Sequence, residues 1–243
     1  MPRAGCRTIS LTFNRLHAAK SKRPMSIGKS YVAEVLKLCQ EEVMQTRRQL
    51  RRRKPRACGR NRIWALDLTY ARQGGGPPLP FLGVIDQGTR ACLTLQALER
   101  KTTVAVLRAL LDLVERFGRP AMLRTDNEAT FTARLFRLAL FVLGIHHQRT
   151  EPFAPWQNGR VERFFGTFKR SLRQLREEKP NAPLGEAKLR AFRLWYNHLR
   201  PHQSLAGLTP AEAWSGQGKG PRIGKAVRLE AWGGVLSGLY VPD

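Results

Sequence analysis

The sequence predicts an α/β fold, a mixed sheet with helices on its faces. Three observations carry this. Residues 63 to 99 hold three β-rich apolar runs, IWALDLTYA, PFLGVIDQ and RACLTLQAL, separated by the turn signals GGGPP and QGT. Residues 102 to 117 then switch to helical spacing, with Val104, Leu107, Leu111 and Val114 on one face and Gly118 and Pro120 closing the segment. Beyond them, AMLRTDN and IHHQRT read as short strands on either side of FTARLFRLALFVLG, an amphipathic helix closed by Gly144. The element order is β-β-β-α-β-α-β-α-α, with three antiparallel strands first.

The N-terminal part differs. Residues 1 to 25 read as loosely ordered and basic. From Ser30 to about Leu50 a helix is expected, since Val32, Val35, Leu36, Cys39 and Val43 recur at helical spacing. IGKSYVAEVLK fits either the second helix of a helix-turn-helix or a helix packed on its neighbour. The GKS triplet lacks the Gly four residues before it that a phosphate loop requires. Residues 47 to 62 hold nine basic residues in sixteen and no acid, including Arg51, Arg52, Arg53 and Lys54. That run makes a domain boundary and a candidate nucleic-acid contact. The expected division is therefore 1–59, a basic mostly helical extension, 60–214, the α/β domain, and 215–243, a short tail. In the tail, AVRLEAWGGVLSGLYV suggests a hairpin around Gly233–Gly234.

Charge narrows the function. The 243 residues are 42% hydrophobic and carry 43 Lys and Arg against 18 Asp and Glu, a net +25. Residues 1 to 62 alone are net +14, residues 63 to 150 net +4 and residues 151 to 243 net +7. A near-ordinary central domain flanked by basic material points to a polyanion partner, nucleic acid ahead of an anionic membrane. Cys6, Cys39, Cys58 and Cys92 stand far apart, which argues against a zinc site or disulfide framework and fits a reducing cytoplasm. No signal peptide or membrane-length apolar run is evident. His198 and His202 are separated by a Pro, and His146 and His147 point to opposite faces of a strand, so neither pair reads as a metal site.

The carboxylates stand out against this background. Asp67 interrupts the apolar strand WALDLTY, where a charge must be paired, protonated or metal-bound. Alternation puts Ile63, Ala65, Asp67 and Thr69 on one face and Trp64, Leu66 and Leu68 on the other. Asp126 falls where AMLRT ends, the usual place for functional groups in α/β sheets. Glu162 is the one acid in PWQNGRVERFFGTFKR, among Arg160, Arg163, Lys169 and Arg170. Its neighbours three and four positions away include no cation, so an intrahelical ion pair does not explain it. In the helix that Glu162 begins, residues 161, 164, 165, 168, 172 and 175 form the apolar face, while Gly166, Lys169, Arg173 and Arg176 follow Glu162. Gly166 suggests close approach of a backbone, and the cations suit a phosphate track. Three converging carboxylates form an oxygen-rich site for hard divalent ions, and two such ions suffice for phosphodiester chemistry.

WALDLTY, LRTDNEATF and PWQNGRVERFFGTFK resemble the three signature blocks of the retroviral-integrase-like catalytic core of aspartate–aspartate–glutamate transposases, of the bacterial insertion-sequence type. Thirty-five residues separate Asp126 from Glu162, the family's characteristic spacing, and Lys169 occupies its basic position seven residues after the Glu. YNHLRPHQSLAGLTPAEAW is similar to the family's closing helix and tail, so the resemblance covers roughly residues 60 to 214.

The resemblance implies a ribonuclease-H-like five-stranded sheet and a catalytic, metal-binding triad of Asp67, Asp126 and Glu162 holding two Mg²⁺ or Mn²⁺ ions. It implies cleavage at transposon ends, attack of the 3′-hydroxyl on target DNA, and assembly as a homo-oligomer on double-stranded DNA in the bacterial cytoplasm, at the nucleoid. Lys169 would contact the reacting end, with Arg160, Arg163, Arg173 and Arg176 on the same basic strip. Asn127, Gln157, Asn158 and Gly159 would shape the site. The chain departs from the pattern at Glu128, where a Gly is usual, and it has no zinc-binding N-terminal domain or room for a full C-terminal barrel. Two rivals use the same surface: a catalytically inactive DNA-binding protein that keeps the fold, and a nuclease that cuts without joining.

Overall fold

The computed structural model describes residues 5–20, 25–51, 58–72, 76–150, 158–180, 182–216 and 224–240. Two compact units result, Met1–Arg56 and Ala57–Asp243. The first contains α1 (Cys6–Lys20), α2 (Lys29–Leu38) and α3 (Gln40–Arg51). Ordered helix in α1 corrects the expectation of a loose segment. It is fastened to the chain that follows: the Asn14 amide donates to the Ile27 carbonyl at 3.1 Å and accepts from the Ile27 N–H at 2.8 Å. The single helix expected from Ser30 to Leu50 is interrupted at Cys39, although backbone bonds from Cys39 to Val35 and from Val43 to Cys39 bridge the break.

The second unit is built on a sheet of order β3-β2-β1-β4-β5, formed by β1 (Ile63–Arg72), β2 (Pro78–Asp86), β3 (Cys92–Ala97), β4 (Met122–Thr125) and β5 (His146–Arg149). β1, β2 and β3 pair antiparallel, while β4 joins β1 and β5 joins β4 in parallel. The parallel crossovers run through α4 (Thr103–Phe117), which begins with the Thr102 hydroxyl capping the Ala105 N–H, and through α5 (Ala129–Thr132) and α6 (Arg134–Val142). The one helix expected between β4 and β5 is split because Ala133 adopts extended geometry, φ −54° and ψ 143°.

Each sheet face has its own core. Trp64, Leu66 and Leu68 pack with Leu107, Leu110 and Phe136 on one side. On the other, Ala65 and Ala71 meet Val161, Phe164, Phe165, Phe168, Leu172 and Leu175 of α7 (Gly159–Glu178). α8 (Glu186–Leu194) continues that second layer into a π turn at Trp195–Leu199. There Asn197 clasps the edge strand, accepting from the Cys92 N–H at 2.8 Å and donating to its carbonyl at 2.9 Å. α9 (Pro210–Ser215) starts in a capping box between Thr209 and Glu212. An antiparallel hairpin of β6 (Val227–Ala231) and β7 (Leu236–Tyr240), turning through Trp232–Gly234, buries Trp232 in the second core. Among the described residues, no helix is long and apolar enough to cross a membrane.

Candidate active site

Asp67 lies opposite Gly83 in the β1–β2 pairing. A Cβ on Gly83 would come within 2.6 Å of the Phe165 ring and 3.1 Å of Phe164. The missing side chain lets α7 seat on the sheet beside Asp67, and Glu162 stands in the first turn of that helix. β4, parallel to β1, ends at Thr125 and delivers Asp126 from the other flank. Three segments far apart in sequence thus meet at the centre of the sheet.

Electrostatics report the convergence. Burial is the main cause that pushes the Asp67 carboxyl up to about 7; the Leu68 N–H opposes it, and Asp126, Glu128 and Glu162 each add to the rise. The Leu68 N–H donates to Asp67 Oδ1 at 2.8 Å. Burial also raises Asp126, against the Glu128 N–H, which donates to Asp126 Oδ1 at 3.0 Å. Glu162 is exposed. These carboxylates influence one another, yet among the described residues no group of three or more His, Cys, Asp or Glu is arranged to hold a metal ion. Without a cation, like charges in a partly dry site favour separation or protonation. The donor chemistry, carboxylate oxygen with neither thiolate nor imidazole, suits a hard divalent ion.

Glu128 belongs to this neighbourhood. Lys101 binds it at 3.2 Å and lies 5.8 Å from the centre of the Tyr70 ring. The hydrogen bonds that the Lys101 ammonium donates to Tyr70 and then to Glu128 raise its pKa. Sequence reasoning singled out Glu128 but missed Lys101, Tyr70 and Gly83. Tyr70 had a signal, an aromatic with a polar tip at the outer end of the Trp64, Leu66 and Leu68 phase of β1; Lys101 had none beyond its charge.

The other expected residues divide. Asn127 donates to the Thr150 carbonyl at 2.9 Å, tying the β4 exit to the β5 exit. Asn158 is buried as the residue before α7, and its carbonyl accepts the Glu162 N–H at 3.1 Å; Gly159 opens the helix with open space around its Cα. Arg163, Lys169 and Arg173 are exposed. Arg160 turns inward, donating to the Gln87 carbonyl at 2.5 Å, and Arg176 donates to the Arg72 carbonyl. Gly166 meets nothing within 4 Å, so the close backbone approach expected there is absent among the described residues; Gly83 has that role instead. Arg51 ends α3, while Arg52, Arg53, Lys54 and Gln157 lie outside the described residues. His202 is buried and accepts from Arg200, and His147 meets the Thr125 hydroxyl; both are packing partners.

Comparison with known proteins now adds to this geometry. Two models described as integrase core domain match, one over residues 58–155 and the other over residues 143–210. The chain belongs to the integrase core family. This integrase core is 32% identical over 155 residues to an uncharacterised 39.2 kDa protein of insertion element IS476 from Xanthomonas euvesicatoria, covering 63% of this chain and 44% of that protein. A 31.7 kDa protein of insertion element IS407 from Burkholderia multivorans is 29% identical over 155 residues, with 63% and 54% covered. The chain spans about half the length of these relatives. Among solved structures, the HTLV-2 integrase catalytic core domain in complex with magnesium aligns with a TM-score of 0.55 at 22% identity, over 65% of this chain and 99% of that one. The simian T-cell lymphotropic virus intasome gives 0.58 at 24%, over 73% and 64%. At such identities the likeness concerns the fold, a ribonuclease-H-like integrase core.

Proposed function

We propose that this chain is a divalent-metal-dependent polynucleotidyl transferase that cuts DNA at the ends of a mobile element and joins the exposed 3′-hydroxyl to target DNA. The observation that supports this reading best is the pairing of β1 with β4 and the seating of α7 over Gly83, which bring Asp67, the end of β4 and the first turn of α7 to one region of a family-typical core. Asp67, Asp126 and Glu162 would hold two Mg²⁺ or Mn²⁺ ions. Magnesium in the HTLV-2 core supports that choice. Held there, such ions would supply charge neutralisation at the scissile phosphate and activation of the attacking oxygen.

The chain's own residues do the rest. Asp67 anchors the site from the sheet, and the Glu128 N–H fixes one oxygen of Asp126. Exposed Arg163, Lys169 and Arg173 line α7 as phosphate contacts. Since two element ends must be handled together, the working form is a dimer or larger assembly on DNA. The intasome likeness supports this.

The test pairs wild type with Glu162→Gln on DNA bearing the flanking ends of its own element, with Mg²⁺ or Mn²⁺, scoring 3′-end cleavage and joining. Wild type alone should give both products, and the variant should bind DNA at least as well, because one negative charge facing phosphate is gone. Equal loss of binding and cleavage would sink the assignment of Glu162. Tight metal-independent binding without product from either protein would turn the reading to a DNA-binding protein that keeps the fold.

A further inference from the structure

Glu128 is a fourth carboxylate beside the candidate site. It takes the N-cap position of α5, yet its side chain makes no capping bond there. Its Oε2 instead accepts from the Lys101 ammonium at 3.2 Å, with 36% of the Lys101 side chain and 29% of the Glu128 side chain exposed. An ion pair that open adds little to stability. Its placement is what matters. Lys101 lies just before α4 and also donates to the Tyr70 side chain. Tyr70 shares its phase of β1 with Trp64, Leu66 and Leu68, which pack with α4, whereas Asp67 is in the other phase. The ammonium therefore draws the Glu128 carboxylate toward the α4 side, away from the face that carries Asp67.

A second tie runs beside the first. The Thr103 hydroxyl donates to the Thr130 carbonyl at 3.2 Å, so the start of α4 and the segment from Asp126 into α5 are fastened at two points. Glu128 also holds Asp126, because its N–H donates to Asp126 Oδ1 at 3.0 Å. Backbone and side chain of Glu128 thus have opposite assignments. The backbone fixes a candidate ligand, and the carboxylate is turned away from the same place. Two residues of chain span at most about 7 Å, so a released Glu128 carboxylate would reach an ion on Asp126. Its charge already acts over that distance. Burial is the main cause that raises both Asp67 and Asp126; among the lesser causes, Glu128 raises both and Lys101 lowers Asp126.

We propose that Lys101 is a positioning residue of the carboxylate site: it withholds the Glu128 side chain from the divalent ion, leaving that ion's open position to the substrate phosphate. Magnesium sites for phosphate chemistry use one or two carboxylates and leave other positions to water and phosphate. A further carboxylate there would hold the ion more tightly and displace the phosphate. The proposal rests on the reading that Asp67, Asp126 and Glu162 hold the metal, and its test is separate. Mn²⁺ binding to the full chain is measured without DNA, from the electron paramagnetic resonance signal of the free ion. Wild type is compared with Lys101→Met, Glu128→Gln and the double variant, and Mg²⁺-dependent cleavage of element-end DNA is scored in parallel.

Lys101→Met should bind Mn²⁺ more tightly, by on the order of 10-fold, the effect of one freed carboxylate near a divalent charge. Its cleavage should fall by on the order of 10-fold. The gain in affinity needs Glu128, so the double variant should bind Mn²⁺ nearly as Glu128→Gln alone does. Lys101→Arg, which keeps the pair, should behave as wild type. Affinity and cleavage that move in opposite directions separate this role from a structural one, which would lower both. Unchanged or weaker Mn²⁺ binding in Lys101→Met overturns the proposal, as does a gain that persists in the double variant. Asp67→Asn tests the reading beneath it. If that variant binds Mn²⁺ as wild type does, the ion sits elsewhere, and the metal reading falls together with this proposal. If it binds weakly while Lys101→Met is unchanged, only the role of Lys101 falls. A Glu128-dependent gain without cleavage by wild type would remove the transferase reading alone.

Discussion

Toward one face of the sheet β1 contributes Trp64, Leu66 and Leu68; toward the other it contributes Ala65, Asp67, Thr69 and Ala71. On the first face the strand brings the volume and α4 answers with aliphatic residues. On the second the strand is thin, Gly83 opposite Asp67 is thinner still, and three phenylalanines of α7 bring the volume. The first arrangement serves packing alone. The second brings a helix backbone close to the sheet without a large strand residue between them, so that a carboxylate from each can face the same solvent. The site follows from how the bulk is divided between strand and helix.

Paired cavities should separate the two faces most strongly. Phe136 and Phe164 are both fully buried, one in each core. Truncation to Ala should cost about 3–5 kcal/mol at either position in denaturant unfolding. Measured where both variants remain folded, Phe164→Ala should lose DNA cleavage and Phe136→Ala should retain it. Equal activity of the two variants would break the comparison.

A second contrast is titratable. Tyr196 and Trp232 share the α7 face, and His202 packs edge-on against Tyr196 at 4.9 Å. Burial, then the nearby Arg200 and Arg90, depress the His202 pKa from 6.5 to about 4. Arg200 can only donate, so the ring nitrogen 3.0 Å away accepts and the imidazole is neutral. A depressed folded-state pKa means that the unfolded chain binds more protons between about pH 6.5 and pH 4. The stability from keeping His202 neutral is present above pH 6.5 and is lost as the pH falls through 4. At each pK unit this amounts to about 1.4 kcal/mol, an upper bound for a ring that is not fully buried. Urea titrations from pH 7 to pH 4.5 should show a steeper loss in wild type than in His202→Gln; parallel curves would remove His202 as the cause.

Gly83→Ala should cost less, about 1–3 kcal/mol, because one methyl group must displace the Phe165 ring. Its effect on cleavage should exceed its effect on stability. A change in activity no larger than the unfolded fraction accounts for would show that α7 absorbs the methyl group without moving Glu162.

Much of this was legible from residue patterns. The period-2 alternation put Asp67 on the face opposite Trp64, Leu66 and Leu68, as the two cores bear out, and residues 161, 164, 165, 168, 172 and 175, expected on one apolar stripe, are all buried. The strand and helix order needed only turn signals and periodicity. What was not legible depends on partners distant in sequence. α1 is fastened by Asn14 to Ile27, which no hydrophobic period announces. Arg160 and Arg176 resemble free phosphate contacts on a helical wheel, but carbonyls of Gln87 and Arg72, 73 and 104 residues away, turn them inward. A helical wheel showed Gly166 where clearance was expected. The clearance is at Gly83, and only the strand register reveals it.

The last effect is the most diagnostic for the site. Burial, the larger cause, and then the charges of Asp126, Glu128 and Glu162 raise Asp67 to about 7 from an ordinary 3.8. A folded-state pKa above the unfolded one contributes stability that is fully present below about pH 4 and is lost as the pH rises through 7. Asp67→Asn removes the buried charge and keeps the shape. In EDTA at pH 8 it should therefore be more stable than wild type, by up to about 4 kcal/mol for a rise of roughly three pK units, less what the lost hydrogen bond from the Leu68 N–H to the carboxylate costs. Below about pH 4, where the carboxyl is neutral in the folded and the unfolded chain alike, the difference should nearly vanish. Adding Mn²⁺ at pH 8 should raise the melting temperature of wild type and leave Asp67→Asn nearly unmoved, since a cation relieves repulsion only where the carboxylate exists. If Mn²⁺ stabilised both proteins equally, the ion would be binding elsewhere, and the thin face of the sheet would have to be explained by packing alone.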